Sequence, residues 1–224
     1  MLDLELLASK LGAVIVRDEV SSAAAWTVRR KGYATIRLRA DEELRRARFT
    51  IAHELGHCLL HREHHELRPR CRFATIGERP SIESEANDFA AELLLPSHIL
   101  RPRCGRPSLD LIHLLLEEFV TTWTATAVNV VRLTEAPCAL VLTEYGKVKW
   151  AVTSDAWRGP VVRRRTHLPL ESAAAAARTT GSPNARVSGP VEGATWGAGV
   201  SELLEDAIAW PEWETTLSLL RSGF

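Results

Sequence analysis

The hydrophobic pattern of the first third of the chain changes period twice. Leu2, Leu4, Leu6, Leu7 and Leu11 recur at mixed helical spacings before Gly12, which predicts a short helix over about residues 2–11. Residues 14–16 and 26–30 have strand character, with Lys31-Gly32 as a turn after them. From residue 33 to 39 the alternation is strict, Ala34, Ile36 and Leu38 sharing one face, as in a half-buried strand. The period then lengthens to that of a helix, capped by Asp41 and running to about His61. The Arg-rich stretch 62–80, with Pro69 and Pro80, predicts a loop. Ser81 opens another helix that closes before Pro96.

Residues 97–101 add a turn of helix. Ser108 caps a helix to about Val120, and Thr121 or Thr122 caps a second to about Leu133. After that the pattern shortens again. Residues 138–143 and 147–152 form a predicted hairpin around Glu144-Tyr145-Gly146, and Ala173 to Ala177 is a short helix-compatible run. Five glycines and two prolines between 178 and 199 predict loops. A helical stretch near 201–208 and a strand near 215–221 follow. Five of the seven tryptophans lie beyond residue 149, so this last part has its own apolar core and is no linker. The expected fold class is α+β, with a core at 1–107, a helix-turn-helix-like pair at 108–135 and a small α+β segment at 136–224.

Composition narrows the function. At 224 residues, 46% hydrophobic and 25% charged, the chain is ordinary globular protein. Its 28 basic and 28 acidic residues cancel, and each side of residue 135 is balanced on its own. The helical pair carries Arg132 as its only Lys or Arg, so packing is expected of it rather than direct nucleic-acid binding. No apolar run is long enough to cross a membrane. The opening MLDLELLASK lacks the basic lead of a secretory signal. Cys58, Cys71, Cys104 and Cys138 include no CxxC pair, which fits free thiols in a reducing cytoplasm.

The chemistry concentrates at His53-Glu54-Leu55-Gly56-His57, an HExxH motif inside a helical segment. At about 100° per residue, His57 lies roughly 40° around from His53, His61 roughly 80° and Glu54 roughly 100°. Ile51, Ala52, Leu55, Cys58 and Leu59 fall on the other side. Two imidazoles one turn apart can chelate one zinc ion, and the flanking carboxylate can reach a water bound to it. A third ligand is expected from the helix after Ser81, where Glu83 and Glu85 compete. Glu85 shares a stripe with Asp88 and Glu92, whereas Glu83 shares its face with Ala90, Ala91 and Leu94, so Glu83 is favoured. Asn87, one turn after Glu83, can hydrogen-bond a ligand His and fix its orientation. His61 continues the same arc, either in an orienting role or as a plain helix-end His.

RFTIAHELGHCLLH at 48–61, followed by ESEANDFAAELLLP at 83–96 and TATAVNVVRLTEAPCALVLTEYGKVKWAV at 124–152, resembles the ImmA/IrrE family of metallopeptidases, the M78 peptidases. The resemblance is best over residues 30–152. It implies a zincin-like core, one Zn²⁺ per chain on His53, His57 and Glu83, and Glu54 as general base. It also implies a protein substrate, a helix-turn-helix repressor of the XRE type, cut once to release stress-response or mobile-element genes. Longer relatives carry a GAF-like C-terminal sensor, and a full domain of that kind is not expected in this shorter chain. The substrate is expected to pair, extended, with the edge of the strand holding Tyr33, Ile36 and Leu38. The segment after residue 153 is expected to supply regulation or partner contact. The competing expectation is a zincin-shaped binding module that recognises a partner without cutting it; an intact Glu54 disfavours it, because a pure binder needs no base. Nothing in the sequence sets the oligomeric state.

Overall fold

The computed structural model describes residues 2–19, 25–30, 33–61, 81–159, 162–197, 199 and 202–222. They form two compact units: residues 1–96 with 115–126, and 97–114 with the chain from 127 onward. The α+β class is as expected. Among the described residues no helix is long and apolar enough to cross a membrane.

The first unit opens with α1 (Leu4–Lys10), capped by Asp3, whose carboxylate accepts from Leu6 N–H. Strands β1 (Ala13–Asp18), β2 (Ala25–Arg30) and β3 (Tyr33–Arg39) form a three-stranded sheet in the order β1-β3-β2. β3 is parallel to β1 and antiparallel to β2. Ile36 therefore sits between Ile15 and Thr27, and both Ile36 and Leu38 are fully buried. This overturns the expectation that Tyr33, Ile36 and Leu38 line an open edge for substrate. The alternation that marked β3 as half-buried is that of a central strand, whose backbone donors and acceptors are taken on both sides.

Helix α2 (Leu44–Leu60) follows, and Glu43 rather than Asp41 is its cap. The Asp41 carboxylate is held instead by the Arg39 guanidinium, at 2.5 Å. α3 (Ile82–Leu94) has a reciprocal cap in which Ser81 and Ser84 each accept the other's backbone N–H. The expected loop at 62–80, with Cys71, lies outside the described residues. α5 (Leu109–Phe119) and α6 (Trp123–Leu133) form the expected helical pair after the short α4 (Ser97–Leu100), and Ser108 and Thr122 are their caps. Two arginines of α2 hold the end of α5. Arg45 donates to Leu116 and Thr121 carbonyls, and the buried Arg48 donates to those of Val120 and Leu2.

The second unit contains a five-stranded sheet in the order β5-β4-β8-β7-β6, with α7 (Ala173–Thr179) packed on β6, β7 and β8. β4 (Cys138–Glu144) and β5 (Lys147–Thr153) form the expected hairpin. Tyr145 and Gly146 turn it with φ of 52° and 68°, the left-handed pair that matches strand twist and that Gly146 accepts freely. Two expectations fail here. The glycine- and proline-rich stretch contains β6 (Ala185–Glu192), and the helix expected at 201–208 is β7 (Glu202–Trp210). β6 is an edge strand, the place in a sheet where a proline such as Pro190 is tolerated. β7 lies between β6 and β8 and is buried without a break from Glu205 to Trp210, so two-sided packing overrides local helix preference. β8 (Thr215–Arg221) pairs with β4 as well as β7. The segment after residue 153 is thus woven into a sheet begun before it.

Candidate metal centre

The wheel reading placed His53, Glu54 and His57 on the polar side of α2, yet that side is as buried as the apolar one. Relative exposures are 4%, 0% and 1% respectively, because α3 packs against it. The packing is close where Gly56 faces Ala86 and Phe89: a Cβ there would meet Ala86 Cα at 3.1 Å and Phe89 Cδ1 at 3.1 Å. The absent side chain lets the helices approach until Glu83 of α3 reaches across. Gly56 is therefore a positioning element that sequence reasoning passed over. The available signal was a glycine inside an otherwise strong helix, where it costs about 1 kcal/mol against alanine.

The three expected ligand residues converge. One donor atom from each of His53, His57 and Glu83 lies within 4.8 Å of the others. The two Nε2 atoms are 3.0 Å apart, and Glu83 oxygens lie 3.3 Å from His53 Nε2 and 3.4 Å from His57 Nε2. Glu85 is not part of this group.

Hydrogen bonding behind the rings fixes which nitrogen faces the centre. His53 Nδ1 is 2.8 Å from Asn87 Oδ1. A carbonyl oxygen only accepts, so His53 carries its proton on Nδ1 and leaves a lone pair at Nε2. His61 is buried, its Nε2 2.9 Å from a Glu85 oxygen and its Nδ1 3.0 Å from His57 Nδ1. The carboxylate takes the His61 Nε2–H, His61 Nδ1 accepts from His57 Nδ1–H, and His57 too presents a lone pair at Nε2. His61 thus has a packed, bonded place, and Glu85, on the solvated side of α3, is its partner.

Two lone pairs and a carboxylate therefore face one another. Glu83 Oε2 is buried and accepts no hydrogen bond from the described residues. A proton relieves one contact of such a group; a divalent cation relieves all of them. Tetrahedral zinc with bonds of roughly 2.0–2.2 Å sets its donors about 3.3–3.5 Å apart, close to the two Glu83 spacings. The residues fit a metal ion. Glu54, beside His53, is fully buried in α2. Cys58 is half-buried, and Cys138 is core, burial pushing its thiol up to about 11 and so away from reactivity.

A paired-helix His-His-Glu centre beside a small sheet defines a zincin-like metallopeptidase fold. The profile of the peptidase M78 family, described as the IrrE N-terminal-like domain, matches residues 8–119, half of the chain. The chain belongs to that family, whose members are typically metal-dependent. Among solved structures it is similar to a Mycobacterium tuberculosis transcriptional regulator, at 15% identity and a TM-score of 0.63 over 97% of this chain and 69% of that one. At that identity the likeness is one of fold. No curated protein matches in sequence.

Proposed function

We propose that the protein is a zinc-dependent endopeptidase that cuts a helix-turn-helix repressor of the XRE type. The observation that carries the metal reading is the Glu83 carboxylate set against two imidazole Nε2 atoms, its buried Oε2 accepting no hydrogen bond from the described residues. His53, His57 and Glu83 would hold the ion. Bound there, zinc would lower the pKa of a water and polarise the scissile carbonyl. Glu54, on the same helix turn, takes the proton from the attacking water and hands it to the leaving amine. Asn87 keeps His53 turned toward the centre. With β3 internal, an extended substrate would pair with β2, the edge strand that meets α2. The repressor substrate rests on the family resemblance.

The test is incubation with the XRE-type regulator encoded beside the gene, with and without zinc, read by mass spectrometry. One zinc-dependent cut is expected, lost in Glu54→Gln while that variant still binds metal. A regulator left intact under every metal condition, yet retained by the protein, would replace the peptidase by the binding module.

A further inference from the structure

We propose that Glu85 is a positioning residue, whose carboxylate acts through His61 to lock His57 in the tautomer and orientation that a metal ion requires. The inference rests on the metal reading above and deepens it. The two imidazoles of the centre are held differently. His53 is backed by a neutral amide, Asn87, at 2.8 Å. His57 is backed by another ring, 3.0 Å away, and that ring by a carboxylate 2.9 Å further on. His61 alone cannot fix His57, because an imidazole carries its proton on either nitrogen and can donate or accept at Nδ1. The carboxylate removes that freedom. It accepts only, so it draws the His61 proton to Nε2, leaves Nδ1 as an acceptor, and forces the His57 proton to Nδ1. With His61 neutral, His57 Nε2 is then a lone pair.

The three supports come from one helix. Glu83 faces the centre, Asn87 backs His53 and Glu85 backs the relay, at every second position of α3. His57 and His61 are buried, at 1% and 6% exposure, while the Glu85 side chain is 57% exposed. An exposed carboxylate contributes little to holding the fold, so a Glu85 variant should fold. Partners of this kind behind a metal ligand change affinity by about 10–100-fold.

Three variants test this: Glu85→Ala, His61→Gln and the double variant. Zinc affinity is measured by competition with a chromophoric chelator, and the ring-nitrogen NMR spectrum is recorded on protein stripped of metal. The parent should show His57 protonated at Nδ1 alone. E85A should show a mixture and bind zinc at least about tenfold more weakly, with thermal unfolding of the stripped protein unchanged. H61Q supplies an amide oxygen in place of the relay, as Asn87 does for His53. In that background E85A should have no further effect. If the parent binds zinc and E85A matches it in affinity and tautomer, the relay is wrong while the metal reading stands. If E85A weakens zinc equally in both backgrounds, Glu85 acts by charge alone and the relay is again wrong. A parent that binds no zinc overturns the metal reading and this inference together.

Discussion

Glu205 and Glu83 are carboxylates drawn out of water in the two different units, and they end in opposite condition. Glu205, in the middle of β7, is completely buried and both its oxygens are saturated. Oε1 accepts from Ala174 N–H at 3.1 Å and Ser218 Oγ–H at 2.8 Å. Oε2 accepts from Ala173 N–H at 3.0 Å and Trp196 Nε1–H at 2.9 Å. The first turn of α7, the turn at Trp196 and the neighbouring strand β8 are tied to one side chain. Glu83 has a quarter of its side chain exposed, faces two imidazoles, and has one buried oxygen that accepts nothing from the described residues. A buried carboxylate surrounded by donors is a fastening of the fold. One surrounded by lone pairs is a place for a cation.

The sharpest way to break this contrast is to remove each carboxylate. Glu205→Ala orphans four buried donors and leaves a cavity, so it should cost more than about 3 kcal/mol. Tryptophan fluorescence reads it well, because Trp196 loses its partner and most tryptophans lie in the second unit. A variant as stable as the parent would mean that the four bonds are dispensable and that saturation says nothing about fastening. Glu83→Gln should do the reverse. Stability of the protein stripped of metal should hold or rise, since an amide can donate to a lone pair, while zinc affinity falls by more than about 100-fold. At zinc 100 times the dissociation constant the parent gains about 2.7 kcal/mol, and the variant should gain almost none. Equal zinc-dependent stabilisation in both would remove Glu83 from the ligand set.

Gly56→Ala sharpens the contrast, because it touches the centre through backbone spacing alone. Its added methyl must displace Ala86 or Phe89 by a few tenths of an ångström. A loss of roughly 1–2 kcal/mol in stability is expected, together with weaker zinc binding as Glu83 moves off. Unfolding curves with and without zinc separate the two effects. A zinc affinity equal to the parent's would show that α3 can shift without disturbing the centre.

These three positions also show how far the sequence could be read. His53, His57 and Glu83 were legible because helix geometry converts spacing into faces, and a ligand face differs in kind from a solvated one. Glu85 lies on the solvated side that the same geometry gave it, but its contact with His61 was not legible. A wheel drawn on α3 alone cannot know that the end of α2 brings His61 to the outer side of that helix. Glu205 was not legible at all. In sequence it reads as a polar position on a helical stretch, and its buried state depends on β6 and β8, which pair with β7 from distant parts of the chain. The same cause hid β6 and β7 as strands and made β3 look like an edge: alternation reports that one face of a strand is buried, not how many neighbours it has. Local elements and chemistry set by nearest turns were readable, whereas sheet order was not.

The smallest expected effect tests whether stability and the metal centre are separable along α2 itself. Val120 ends α5 with φ of 52°, a left-handed conformation that a β-branched residue adopts only under strain. It persists because the surroundings fix it. Thr121 N–H bonds back to the Leu116 carbonyl at 3.1 Å, and Arg48 of α2 donates to the Val120 carbonyl at 3.3 Å. This is the position after a helix at which glycine is favoured. Val120→Gly should relieve the strain and keep both backbone contacts, for a net gain of roughly 1 kcal/mol after the lost methyls are counted. For a protein of this size that is about 2–4 °C in Tm. Arg48 precedes His53 by little more than one turn, so if the centre depended on strain delivered through α2, zinc affinity would change as well. The expected result is a higher Tm with the zinc dissociation constant of the parent. A changed affinity would mean that the end of α5 acts on the imidazoles, and that fastening and binding are not divided between the two carboxylates as cleanly as their hydrogen bonds suggest.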